Sequence, residues 1–521
     1  MAVAVPAAVM LALGLWGIDR GGMWRDEAVT YQVARRTVPQ IWRLLHDVDA
    51  VHGLYYLLMH AVLAVRPGEV LLRLPSVCAA AATAGLVAAL GVRLARPRVG
   101  LWAGLLYAVT PMAGHYAQEG RSYALVAAGA TGATLLLARA AERGAPPSGE
   151  AEGRTGARWW AYGAVLGGTC LMHELAVLLL LAHAGTLALA RAGRAVWRGW
   201  ACAAGGVVLA VVPMAIVSHG QSAQVAWLRV PTVENAQDLL RAFVGPASGV
   251  YWTCLALAAV GLTEVIARRG KLTCAGVGLP LVVVPPVTLM LASQVSPLYV
   301  DRYVLYALAG APLCVAAGAD RLAGALGRLR PGPPLLLTLT GTAAVALVLA
   351  QQLPLLRQDR VADHRPDNLG AVSTAAARAL RPGDPVLFLP SHARGTALAY
   401  PRSFHGMRDV ALAAGAPASG TLYGTEVAPA VLRHRLAGLD RVWVVAERYV
   451  LRASYSPRNP TERLKLAVLG ERFSLCEESV RGRVIVGLYV RRALMAGSPE
   501  QPSGPLRLEP TRVRPLRSVR W

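Results

Sequence analysis

The stretch MAVAVPAAVMLALGLWGIDRGGMWRDEAVTYQVARR (residues 1–36) sets an apolar run directly before an adjacent acidic pair, Asp26–Glu27, flanked by Trp24, Arg25 and Tyr31. The run, residues 1–18, has no basic leading segment and no small-residue cleavage site, so it reads as an uncleaved first span rather than a signal peptide. The residues after it are polar, charged and aromatic. A chain that leaves a membrane and at once presents two carboxylates poses a chemical question, and the rest of the sequence frames the answer.

Residues of hydrophobic type make up 55% of the 521, only 16% are charged, and mean hydropathy is +0.43. Apolar runs recur at 1–18, 70–92, 99–117, 122–138, 159–172, 174–190, 199–218, 249–266, 273–293, 303–320 and 333–353. Many approach the roughly 20 residues that a spanning helix needs. The expectation is an α-helical polytopic membrane protein of about eleven spans, thirteen at most. The run LYYLLMHAVLAV (54–65) is short for a crossing and suits a juxtamembrane helix better.

Charge placement fixes the expected topology. With 54–65 kept out of the membrane, the basic clusters at 93–98, 139–158, 191–198, 267–271 and 320–330 all fall on one face. The positive-inside rule makes that face, and the N-terminus, cytoplasmic. The formal charge of +23 therefore reads as topology and not as a nucleic-acid-binding surface. Four polar segments share the opposite face: 19–69, the turn HYAQEGRSY (115–123), the loop 219–248, and SQVSPLYVDRY (293–303).

After residue 353 the pattern changes. RPGDPVLFLP, DRVWVVAERYV and GRVIVGLYVRR are short β-rich runs between Ala- and Leu-rich helical stretches. The expected organisation is a transmembrane domain over 1–353, a soluble α/β extracytoplasmic domain over 354–495, and a disordered, basic, Pro-rich tail over 496–521. No fixed-period repeat is visible. The seven cysteines are scattered, mostly in apolar runs, and form neither a disulfide framework nor a CxxC metal site.

The chemistry-bearing residues lie in the outer segments. Asp26 and Glu27 follow the first span; Gln118, Glu119 and Arg121 sit in a turn between spans; Asp301, Arg302 and Tyr303 enter a late span. Taken singly each has a plain structural reading: a solvated acid pair, a turn salt bridge, an interfacial Arg/Tyr anchor. Together they put carboxylates and arginines on one membrane face, the types needed to bind an anionic lipid headgroup and deprotonate a hydroxyl.

In order along residues 10–320, WRDEAVTY, VHGLYYLLMHAVLAV, LLRLPSVCAAAATAGLVAALGVRLARPRVGLWAGLLYAVTP, HYAQEGRSYAL and PLYVDRYVL resemble the GT-C membrane glycosyltransferases. The likeness is to the protein O-mannosyltransferase and aminoarabinose-transferase group, family 39-like. It implies Asp26 as general base with Glu27 its partner. It implies substrate contacts from Arg25, His52, Tyr55, Gln118, Glu119, Arg121, Tyr123, His173, Arg302 and Tyr303. VHGLYY lacks the two prolines of the family's HPPLYY, while His52 and Tyr55 match. In CLMHELAVLLLLAHA, Glu174 replaces an aromatic residue.

The resemblance implies transfer of a sugar, mannose or a relative, from a polyprenyl-phosphate donor to an extracytoplasmic hydroxyl of a protein, lipid or envelope glycan. One base suffices for inverting direct displacement, whereas retention needs a nucleophilic carboxylate too. No cofactor is called for with certainty. A divalent metal stays open, since the acid pair offers oxygen ligands but no HxxxH or Asp-rich cage accompanies it. The alternatives are a lipid-linked glycan flippase and a non-catalytic GT-C relative. Flippases place ionisable groups within spans, often with repeat symmetry, and neither feature is read here.

Overall fold

A computed structural model of the chain describes residues 1–141, 149–265, 270–329, 333–361, 367–452 and 454–495. The sequence-based tail at 496–521 and parts of the basic clusters at 139–158, 267–271 and 320–330 lie outside these residues. The chain divides into two compact units: Met1–Arg20 with Thr37–Val361, and Gly21–Arg36 with Ala362–Trp521.

The first unit is helical, and every apolar run read from the sequence falls on a helix or a helix pair. Among the described residues six helices are long and apolar enough to cross a membrane: Glu69–Leu94, Tyr123–Ala141, Arg194–Gly220, Cys274–Ala292, Asp301–Arg328 and Leu335–Asp359. A seventh arises if Val233–Val244 and Ser248–Leu262, bent by 86°, count as one span. Three shorter apolar helices are Ala4–Leu15, Ala50–Val65 and Glu174–Leu189. The run at 99–117 is broken into Pro97–Val109 and Pro111–Ala117, because Pro111 holds Thr110 extended and starts a new helix. The last helix runs to Asp359, past the expected boundary at 353.

Glycine sets the closest helix approaches. A Cβ at Gly91 would lie 2.6 Å from the Gly100 Cα, and one at Gly318 would overlap the Leu257 carbonyl oxygen. Only glycine lets these backbones touch, as is usual where helices associate without a hydrophobic drive. Charge adds clamps at the helix ends. Asp320 accepts from Arg98 Nε at 2.6 Å and pairs with Arg96 at 3.3 Å, which neutralises part of the 93–98 cluster.

The end of the first helix is held by side chains from distant segments. Gln118 Nε2 donates to the Gly14 and Trp16 carbonyls, each at 2.8 Å. Arg360 donates to the carbonyls of Leu13, Trp16 and Gly114, and Arg73 to those of Ile18 and Arg20. Carbonyls in the last turn of a helix lack a partner within it, so donors and cations there complement both the hydrogen-bond deficit and the dipole.

Among the described residues the second unit contains seven strands: β1 (Pro385–Leu389), β2 (Arg408–Asp409), β3 (Leu412–Ala414), β4 (Thr425–Glu426), β5 (Arg441–Glu447), β6 (Phe473–Arg481) and β7 (Val484–Arg491). Five form one mixed sheet in the order β2-β1-β5-β7-β6, and β3 pairs with β4. β1 runs parallel to β2 and β5, while β7 is antiparallel to both of its neighbours. Period-two alternation sends Leu387, Leu389, Val442, Val444 and Ala446 to one core, with Leu432, Leu436, Val468 and Leu469 from helices Pro429–Ala437 and Pro460–Arg472. It sends Val386, Phe388, Trp443 and Val445 to the other, with Val372 and Ala376 of helix Leu369–Ala379. Both faces are covered, so the central strands read as unbroken apolar runs.

Candidate active site

Within the helical unit, six of the sequence-derived residues come together around His52. His52 ends a short 3-10 turn, Ala50–His52, that opens helix Gly53–Val65. Arg121 Nη2 donates to His52 Nε2 at 2.6 Å. A guanidinium has donors only, so Nε2 must accept and the ring proton sits on Nδ1. That Nδ1 is buried and has no hydrogen-bond partner among the described residues. His173, in the break between helices Gly149–Met172 and Glu174–Leu178, lies 6.1 Å from His52 by ring centroids, and its Nδ1 is likewise buried without a partner among the described residues.

Aromatic and cationic groups complete the cluster. Tyr303 stacks at a tilt on His173 at 4.8 Å, and Tyr123 lies 5.8 Å from His173 and 6.2 Å from Tyr303. Arg302 Nε donates to the Tyr123 hydroxyl at 3.1 Å, and its guanidinium carbon is 5.8 Å from each of the Tyr123 and Tyr303 ring centres. The 3-10 stretch Asp301–Ala309 sets these side chains at the mouth of its helix, with Asp301 capping the Arg302 N–H at 2.8 Å. Two guanidiniums and two buried histidine nitrogens facing an aromatic wall make a set suited to an oxyanion and a polyhydroxylated ring.

Other expected contacts have structural work. The Gln118 amide caps the first helix, and the Glu119 and Arg121 carbonyls accept from the buried Ser76 hydroxyl at 2.6 and 3.2 Å. Tyr55 is buried within its helix. Glu174 accepts from the Ser218 hydroxyl at 2.5 Å. The turn before His52 is pinned in the same way: Asp49 has a left-handed backbone, and its carboxylate accepts from the Tyr56 hydroxyl at 2.7 Å. Gln221 bridges the Ala50 N–H and the Leu45 carbonyl.

Asp26, Glu27 and Arg25 belong to the second unit. They open helix Arg25–Ala34, where two acids in the first turn complement the dipole. Glu27 is fully buried and reaches back to the Trp24 N–H at 3.4 Å, the reverse arm of a capping box. Asp26 is half-buried. Arg25 Nη2 and His392 Nε2 both donate to Glu447 Oε1, each at 2.7 Å, and Asp367 lies 3.9 Å from Arg25 Nε. Burial would raise the Glu447 carboxyl, but the His392 hydrogen bond and the Arg25 charge hold it below the usual carboxylate range. Asp367 is pushed up by burial, which outweighs Arg25. Among the described residues no group of three or more His, Cys, Asp or Glu is placed to hold a metal ion.

Neither a family model nor a curated protein matches the sequence. Solved structures do match. ArnT from Cupriavidus metallidurans in the apo state is similar over 93% of this chain and 97% of its own, at 14% identity and a TM-score of 0.61. ArnT bound to undecaprenyl phosphate gives 13% identity and a TM-score of 0.60 over the same shares. The apo oligosaccharyltransferase of Archaeoglobus fulgidus gives 12% identity and 0.54 over 91% of this chain and 72% of its own. The helical and C-terminal units together share the fold of these solved structures. The chain is thus a multi-pass membrane protein with a small α/β unit at its C-terminal end.

Within the second unit, sequence reasoning missed Asp367, His392, Tyr423 and Glu447, which line a small cleft with Arg25, Ala28 and Val29. Their one signal was weak: AERYV closes a strong strand on a glutamate, and a charged residue ending a buried strand needs a partner.

Proposed function

We propose that the chain is a glycosyltransferase that moves a sugar from a polyprenyl-phosphate donor to an acceptor hydroxyl on the extracytoplasmic side. The observation that carries this reading is the Arg121–His52–His173–Arg302 cluster, which offers buried donors to an anion and an aromatic wall to a sugar ring. Its support is the GT-C fold and the undecaprenyl phosphate bound to the similar ArnT. The proposed topology puts the N-terminus in the cytoplasm and residues 354–495 outside.

In this reading Asp26 accepts the proton of the acceptor hydroxyl as its oxygen attacks the anomeric carbon. The bond from that carbon to the phosphate oxygen breaks, the electron pair leaves with the lipid phosphate, and configuration inverts. Arg121 and Arg302 take up the charge that grows on the phosphate. The His52 Nδ1–H, with its orientation fixed by Arg121, donates to an oxygen of the donor. Glu27 supports Asp26 by closing the first turn of their helix. Mannose is the sugar favoured by the family resemblance, and the acceptor is a protein, lipid or envelope glycan.

The test is turnover and donor affinity of Asp26→Asn and Glu27→Gln, using defined polyprenyl-phosphate sugars and membrane extract as acceptor. Asp26→Asn keeps shape and most hydrogen bonding, so turnover should fall about 10²–10⁴-fold while donor binding survives. Near-normal turnover in Asp26→Asn removes it as the base. Activity in both single variants returns the pair to a helix-capping role.

A further inference from the structure

We propose that Glu447 is a positioning residue for Asp26, acting through Arg25; this rests on the reading of Asp26 as the base. The geometry is convergent. Glu447 ends strand β5, and its Oε1 accepts from both Arg25 and His392 at 2.7 Å. Arg25 is the first residue of the helix whose second is Asp26, so the side chain that Glu447 grips adjoins the carboxylate in sequence. Asp367 flanks the same guanidinium at 3.9 Å.

Bonds between neutral groups also tie the rest of the segment to the same unit. The Met23 N–H donates to the Tyr400 hydroxyl at 2.8 Å, the Leu369 N–H to the Met23 carbonyl at 2.9 Å, and Gln32 Nε2 to the Leu422 carbonyl at 2.8 Å. These fix the approach to the helix and its far half. Glu447 fixes the first turn, where Asp26 sits.

Magnitudes separate this role from simple stabilisation. The Arg25 side chain is 41% exposed, so its ion pair contributes little to stability once solvent screening is counted. A displacement of about 1 Å in a reacting group costs roughly 10²-fold in rate. Glu447 therefore matters little to whether the unit folds and much to where Asp26 points.

The experiment uses the full chain in detergent with a defined polyprenyl-phosphate sugar. Glu447→Gln should lower kcat by about 10- to 100-fold with donor KM within about twofold of wild type. Amide exchange in residues 25–30 should rise about tenfold while exchange in β5 and β7 is unchanged. Glu447→Asp should restore part of kcat. Arg25→Gln should reproduce the loss, and the double variant should be no worse than either single one, since both remove one interaction.

Unchanged kcat in Glu447→Gln overturns the proposal, as does raised exchange without a kcat loss, or a double variant whose losses multiply. Asp26→Asn in the same assay keeps the two readings apart. If Asp26→Asn is impaired and Glu447→Gln is not, this proposal alone fails. If Asp26→Asn turns over normally, the base reading fails, and Glu447 as a positioning residue for Asp26 fails with it.

Discussion

If Arg302 holds the donor phosphate, its orientation should depend on Tyr123, and Tyr123→Phe tests that directly. The substitution keeps the ring, and so both cation–π contacts at 5.8 Å, but removes the oxygen that accepts from Arg302 Nε at 3.1 Å. A hydrogen bond to a charged group contributes about 1.5–3 kcal/mol. Tyr123 is only 3% exposed, so water does not readily replace the lost acceptor, and the upper half of that range applies. At about 1.4 kcal/mol per decade, the loss corresponds to about 40- to 150-fold in donor affinity. Arg302→Lys keeps the charge but loses Nε and the planar fork, so it should weaken binding at least as far. Affinity should be measured by equilibrium binding of a polyprenyl phosphate, because KM equals a dissociation constant only when chemistry is slow. Binding within about twofold of wild type in Tyr123→Phe, beside a clear defect in Arg302→Lys, refutes the orienting role of Tyr123. Normal binding in both variants removes Arg302 from the phosphate site.

Three further outcomes concern the second unit. Lys465, fully buried, donates to the Phe388 carbonyl, Glu426 and Glu462; Lys465→Met leaves Glu426 its Arg394 partner but takes from Glu462 its cation. Local stability of β1, read by denaturant-dependent amide exchange, should fall by about 3–5 kcal/mol, and adding Glu462→Gln should recover most of it. Because the folded Glu447 titrates below its ordinary value of 4.5, its stabilisation is full above that pH and is lost as pH falls through the depressed value. The small unfolding-temperature gap between wild type and Glu447→Gln should therefore close in acid, and a gap that widens there contradicts the assignment. Cys476 is exposed, so with residues 354–495 outside, a membrane-impermeant maleimide should label it in intact cells and not in Cys476→Ser. Labelling only after lysis reverses the proposed topology.

The fold was legible where burial writes a period into the sequence. VLFL, VWVVA and VIVGLYV became β1, β5 and β7 because both faces of those strands are covered. β6 is not legible, because FSLCEESVR lies at the sheet edge and is largely exposed after Phe473, which removes the apolar signal. The break at Pro111 was written in the sequence but hidden inside a continuous apolar run. What no local pattern could show is that residues 21–36 group with the C-terminal unit. Its bonds reach partners more than three hundred residues onward, such as Tyr400 and Leu422, and none of those partners carries a motif. The double duty of the acidic pair was half-visible: a Glu three residues after a helix N-cap is a capping signal as well as a candidate catalytic group.

The choice of cations gives a last argument about the site. The chain has two lysines, Lys271 and Lys465, and the buried one is committed to a carboxylate network in the second unit. Both cations of the proposed donor cluster are arginines. A desolvated lysine is prone to give up its proton, whereas a guanidinium stays charged and grips two oxygens in a fixed plane. A phosphate holder built on Arg121 and Arg302 therefore keeps its charge however dry the cluster becomes, and it cannot serve as the proton acceptor. The histidine beside Arg121 is excluded from that task as well, since its accepting nitrogen is already taken by the guanidinium. The proposed reading accordingly assigns proton removal to a carboxylate. Of the two at the head of helix Arg25–Ala34, Glu27 is buried against its own cap and Asp26 retains exposure, which is why the proposal gives the acceptor hydroxyl to Asp26.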